Sequence, residues 1–149
     1  MPLTVHAQFE ATGAAMAGRR ALLATARRAA RAALAACAVR DAEISITLVD
    51  DATIAELNAA WLRHHGPTDV ISFPLHQDGE APLGDVYLGM AQASRQAVAL
   101  GVPLKEEVAR LAIHGTLHVL GMDHPAGRGR EKSAMWQLQE QILATLMGT

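Results

Sequence analysis

With a single cysteine, Cys37, in 149 residues, the chain has no internal disulfide. That scarcity fits a reducing compartment, although exported bacterial proteins also often lack cysteine. Charge is sparse as well: 19% of residues are charged and 50% are hydrophobic, which suits a globular protein and gives no reason to expect extensive disorder. The opening decapeptide, MPLTVHAQFE, lacks the basic segment and apolar run of an export signal. Long uncharged apolar runs are missing too. The best candidate, residues 21–39, is mostly alanine and carries Arg27, Arg28 and Arg31 near its middle. Each would cost about 2.5–3.5 kcal/mol at the centre of a bilayer. These absences predict a cytoplasmic protein with no membrane partner. Internal repeats, low-complexity tracts and linkers are also absent. A chain of 149 residues is the size of one ordinary domain, so one domain spanning residues 1–149 is expected.

Residues 11–40 contain six arginines and no acid, although the whole chain carries a formal net charge of −2. At about 100° per residue, Arg19, Arg20, Arg27, Arg28 and Arg31 fall within one half of a helix. Ala21, Leu22, Ala29, Ala33 and Ala36 mostly occupy the other half. The pattern predicts a basic amphipathic helix with a thin, close-packing face. Its arginines suit either a solvated surface or one that tracks phosphates.

Residues 43–49 (EISITLV) alternate with the period of a half-buried strand. Asp50 or Asp51 can cap the helix that follows, DATIAELNAAWLRHH, before Gly66 and Pro67 break it. Residues 68–73 (TDVISF) and 84–90 (GDVYLGM) predict two more strands around the turn-rich HQDGEAPLG. If the strands flanking the helix pair in parallel, a right-handed crossover joins them. Residues 91–100 predict a short helix stopped by Gly101, and PLKEEVARLAIHGTLHVLG a longer one with Pro103 at its start. Residues 131–147 predict a final amphipathic helix. The expected architecture is mixed α/β (α+β): a small, mostly parallel or mixed sheet covered by helices.

The stretch HGTLHVLGMDHP holds three of the seven histidines. On a helix, His114 and His118 project about 40° apart and are separated by about 6 Å along the axis, as two ligands of one metal require. An uninterrupted helix would turn His124 about 240° away from His118. Gly121 offers the remedy, because a glycine at a helix end enters a left-handed turn and can fold His124 back. Three histidines are the protein ligands of a catalytic zinc site, which keeps a fourth position for water or substrate. One Zn²⁺ per chain is therefore expected at the C-terminal end of a central helix.

The same spacing occurs in the HExxHxxGxxH pattern of zinc peptidases. Here Gly115 stands where those enzymes carry the glutamate that deprotonates water. The sequence thus argues against a peptidase, which stays a lesser alternative only if another acid, such as Asp123 or Asp85, takes that role.

The run HGTLHVLGMDH resembles the HGxLHLxGYDH signature of the YbeY family, bacterial metal-dependent endoribonucleases of ribosomal RNA maturation. The resemblance extends through LNAAW, GPTDVISFP and LGDVYL to Glu131 and Met135, spaced as the family's ExxxM, and spans about residues 43–147. It implies that His114, His118 and His124 are the zinc ligands. It also implies a single-strand-directed endoribonuclease of small-subunit ribosomal RNA maturation and ribosome quality control. The implied partners are RNA rather than DNA, and the small subunit or its assembly factors.

Two positions depart from the family pattern. Leu62 stands where many members carry an arginine suited to phosphate, and Met122 where they carry tyrosine. Arg63 can replace the missing guanidinium if the helix unwinds there, and it is the candidate substrate-binding residue. Asp123 can either orient a histidine ligand or cap the turn. Asp69 and Asp85 line the cleft or merely end strands, and His64 and His65 are expected in a loop rather than on the metal. No general acid or base is identified. A zinc-stabilised, non-catalytic ribosome-assembly factor that binds RNA is the competing class.

Overall fold

The computed structural model describes residues 3–10, 18–63, 66–124, 129 and 133–148. His64, His65 and Glu131 lie outside the described residues. Four strands, β1 (Leu3–Glu10), β2 (Ala42–Val49), β3 (Val70–Pro74) and β4 (Leu83–Gly89), form one sheet in the order β1-β2-β4-β3. The first three in that order are mutually parallel, and β3 runs antiparallel to β4. The fold is thus a mixed α/β sheet with helices, as expected.

Two topological details differ from the sequence reading. The N-terminal strand is an addition: Leu3, Val5, Ala7 and Phe9 alternate with polar residues, and the strand pairs along its whole length with β2. The crossover is the second. Helix α2 (Asp51–Leu62) leads from β2 to β3, but β4 inserts between those strands and β3 returns antiparallel. The parallel neighbours β1 and β2 are joined instead through α1 (Arg19–Ala36).

Alternation in the strands separates two faces. Ile44, Ile46 and Leu48 of β2, with Val86 and Leu88 of β4, are fully buried in the main core. That core is covered by α1 and by α4 (Leu104–Val119), with α5 (Ala134–Met147) packed against both. Val49 and Ile71 face the other way and bury Ile54 of α2. Helix α3 (Met90–Leu100) ends at Gly101, in left-handed conformation, as its sequence predicts.

The arginine-rich helix buries Leu22, Ala26, Ala29, Ala30, Ala33 and Leu34, so small side chains let α1 approach α4 closely. Arg19, Arg20, Arg28 and Arg31 are exposed. Ala21 and Ala36, predicted on the packed face, are exposed because they lie at its margin and at the helix end. Asp50 rather than Asp51 caps α2: its carboxylate accepts the Thr53 N–H at 2.8 Å.

Candidate metal centre

Helix α4 is buried almost all round, and every residue from position 111 to 117 is buried. It meets the sheet at Gly115 and, further along, through Val119 against Gly84 of β4. Ser72 of β3 donates its hydroxyl to the Gly115 carbonyl at 3.0 Å. A Cβ at this position would lie 2.4 Å from Val86 Cγ1 and 3.2 Å from Val70 Cγ2. The glycine is thus a docking point for the sheet. A glutamate there would be driven into β3 and β4, so the peptidase base is sterically excluded as well as missing.

About 100° around the helix from Gly115, His114 opens the candidate site. His114 is buried, 5% exposed, while His118 and His124 are half-buried. Helix α4 ends as the sequence predicts. Gly121 takes φ 95°, its N–H donates to the His118 carbonyl at 3.0 Å, and the Met122 N–H donates to the Leu117 carbonyl at 3.0 Å. This pair of bonds with a left-handed glycine is a Schellman turn. It returns the chain so that the His124 ring lies 5.0 Å from that of His114 and 5.1 Å from that of His118.

One ligand atom from each of the three imidazoles falls within 4.8 Å of the others, and the group can hold a metal ion. The hydrogen bonds show which atoms face the common point. His118 Nδ1 lies 3.0 Å from the Met122 carbonyl oxygen, an acceptor only, so Nδ1 carries the proton. His114 Nδ1 lies 2.5 Å from Gln139 Oε1 and is likewise the donor. In both neutral rings Nε2 is then the lone-pair nitrogen, and the two Nε2 atoms are 3.0 Å apart. Two nitrogens each about 2.0–2.1 Å from one ion stand at nearly this separation. Opposed lone pairs at such a distance favour a cation between them, so the donor set fits a divalent metal.

Sequence reasoning missed the support behind His114. Gln139 of α5 is 1% exposed, and its amide nitrogen donates to Glu140 Oε2 at 2.9 Å. Glu140 in turn accepts from Arg110 Nε at 3.0 Å and from Nη2 at 3.1 Å. Arg110 also donates to Glu107, whose other oxygen accepts from Gln96 of α3 at 2.7 Å. Burial alone would lower the Arg110 pKa, but hydrogen bonds and charge from Glu140 and Glu107 raise it above its ordinary value. The signal in the sequence is a glutamine on the buried stripe Met135, Gln139, Ile142 and Leu143 of an amphipathic helix.

The remaining candidates separate clearly. Asp123 is exposed and accepts the His124 backbone N–H at 2.8 Å, which is the turn-capping role. Asp85 does not line the cleft: Val86 faces α4, so its neighbour points to the opposite side of the sheet. There it shares a face with Tyr87, whose phenol is pushed up by burial, by Asp85 and by Glu10. The Asp69 carbonyl accepts from Gly89 N–H at 2.8 Å and anchors the start of β3. Met122 contributes its backbone carbonyl to His118, so the departure from tyrosine leaves that bond in place.

Arg63 is exposed and has left the helix, with φ 57° and ψ 30° and its N–H donating to the Asn58 carbonyl. Asn58 Nδ2 also donates to the Gly66 carbonyl at 3.0 Å, tying the two ends of this turn together. The unwinding that Arg63 needs in order to depart from the helical direction is present.

The family described as Endoribonuclease YbeY matches residues 10–147. An Endoribonuclease YbeY from Persephonella marina is 43% identical over 114 residues, 72% of this chain and 72% of the relative. Another, from Aquifex aeolicus, is 41% identical over 119 residues, 78% of this chain and 79% of the relative. The solution structure of a Thermotoga maritima protein is similar in fold, with a TM-score of 0.64 at 24% identity over 99% of this chain and 90% of that one. With the family match spanning nearly the whole sequence, the chain that builds this three-histidine cluster belongs to the endoribonuclease YbeY family.

Proposed function

We propose that this chain is a zinc-dependent endoribonuclease that cleaves single-stranded RNA during maturation of small-subunit ribosomal RNA, with His114, His118 and His124 as the zinc ligands. The observation that carries the reading is the convergence of three imidazoles whose His114 and His118 Nε2 atoms stand 3.0 Å apart. Family membership supplies the substrate class. A set of imidazoles without thiolate or carboxylate suits zinc, and three protein ligands suit a site with an open position. Lewis acidity toward a phosphodiester is what the ion supplies when bound, and it serves in place of a glutamate at position 115.

The chain's own residues do the remaining work. Gln139 and the Met122 carbonyl hold the rings of His114 and His118, and Arg63 offers a guanidinium for substrate phosphate. We place the activity in one domain spanning residues 1–149, in the cytoplasm and on the ribosomal small subunit or its precursors. No helix among the described residues is long and apolar enough to cross a membrane.

The test is incubation of purified, metal-analysed protein with structured and single-stranded RNA, beside the double variant His114→Ala, His118→Ala. Cleavage that disappears in the double variant and on chelation is expected. RNA binding without cleavage, across zinc and other divalent ions, would overturn the nuclease reading in favour of an assembly factor. Replacing Arg63 with alanine should raise KM for RNA several-fold without changing zinc content.

A further inference from the structure

We infer that Gln139, held in one amide orientation by Glu140 and Arg110, is the positioning residue that fixes His114 as the Nδ1–H tautomer and so aims Nε2 at the metal. The inference rests on reading His114 as a metal ligand and is independent of the RNA substrate.

An amide presents both a donor and an acceptor, and a free glutamine could offer His114 either one. If its nitrogen faced the ring, Nδ1 would have to accept, the proton would move to Nε2, and the nitrogen that faces His118 would have no lone pair for a metal. The structure disposes against that state. Gln139 Nε2 donates to Glu140 Oε2 at 2.9 Å, and a carboxylate accepts only, so the oxygen is the end left for His114. Glu140 is itself held by three contacts from Arg110 at 3.0–3.3 Å. Arg110 is anchored from behind by Glu107, which is 1% exposed and receives Gln96. The chain of bonds thus crosses from α3 through α4 to α5 and ends on His114. His118 needs no such arrangement, because its partner is the fixed Met122 carbonyl.

The variant Gln139→Met keeps the length and most of the volume of the side chain while removing the acceptor. In the metal-free wild type at about pH 8, where imidazoles are largely neutral, long-range ¹H–¹⁵N spectra should show His114 as one tautomer protonated on Nδ1. In Q139M they should show a mixture. Zinc affinity, measured by competition with a chromophoric chelator, should fall roughly 10- to 100-fold. The double variant Gln139→Glu, Glu140→Gln, which keeps an acceptor oxygen toward His114 and a donor–acceptor pair between the two side chains, should return affinity to within a few-fold of wild type. Q139M that binds zinc within about twofold of wild type, or keeps a single Nδ1–H tautomer, would overturn the inference. Should Q139M fail to fold, Glu140→Ala tests the same point on a side chain 34% exposed: the His114 tautomer should become mixed, and an unchanged spectrum would overturn the assignment. A wild type with the Nδ1–H tautomer but no zinc affinity would instead refute the metal-centre reading alone.

Discussion

Replacing Gly115 with alanine tests the contact that excludes a peptidase. The added Cβ would sit 2.4 Å from Val86 Cγ1, 3.1 Å from Ser72 Oγ and 3.2 Å from Val70 Cγ2. Carbon atoms in contact prefer about 3.5–4.0 Å, so α4 must retreat from the sheet or Val86 must leave its rotamer. Val86 is fully buried, so a rotamer change must displace core neighbours, and a retreat stretches the 3.0 Å bond from Ser72 to the Gly115 carbonyl. Overpacking of this kind costs about 1–3 kcal/mol. Alanine's better helix propensity returns about 0.5–1 kcal/mol. The net expectation is a loss of up to about 2.5 kcal/mol, with roughly 2–4 °C in Tm per kcal/mol for a chain of this size. Urea titration should show a lower midpoint with an unchanged slope. An alanine variant more stable than the wild type would refute the close-approach argument. Gly115→Glu should fail to reach the native fold and should release no peptide from casein.

The turn at Gly121 should couple stability to metal binding. Gly121→Ala forces a side chain into φ 95°, with a cost of about 1–2 kcal/mol, and should weaken zinc binding because His124 follows the turn. Gly101→Ala, strained at φ 69° but remote in sequence from the histidines, should cost similar stability and leave zinc affinity unchanged. Equal zinc affinities for the two variants would argue against Gly121 as the device that returns His124. Asp50→Ala should cost about 1 kcal/mol in thermal unfolding through loss of the Thr53 cap, with zinc affinity intact.

What the sequence disclosed about the site was local. The spacing of His114 and His118, the stop at Gly121 and the return of His124 involve neighbours within eleven positions, where helix geometry and one glycine suffice. Gln139 was hidden because its meaning depends on α5 packing against α4, a contact between residues 25 positions apart. The same reason explains the sheet. The strand character of β2, β3 and β4 was readable from alternation, whereas the insertion of β4 between β2 and β3 depends on pairings that no single segment contains. The strand β1 was available in principle, since Leu3, Val5, Ala7 and Phe9 alternate, but Ala7 adds little apolar area to the pattern. Asp85 was open to either face until Val86 was seen against Gly115.

The geometry around position 115 also bears on the kind of bond the site suits. Because α4 docks on the sheet through Gly115, no carboxylate at that position could reach the imidazole cluster. Among the described residues no acid joins the three histidines. Asp123 is engaged by the His124 N–H, and Asp85 lies across the sheet. Amide hydrolysis needs a positioned acid to protonate the departing amine, because the amide anion is too basic to leave unaided. The departing oxygen of a phosphodiester is a far weaker base than an amide nitrogen, so a Lewis acid held by the three histidines can stabilise charge on both the phosphoryl and the leaving oxygens without a carboxylate. The packing of α4 against β3 and β4 and the lack of a carboxylate at position 115 therefore have one structural origin, the close approach of the Gly115 backbone to the Val86, Ser72 and Val70 side chains.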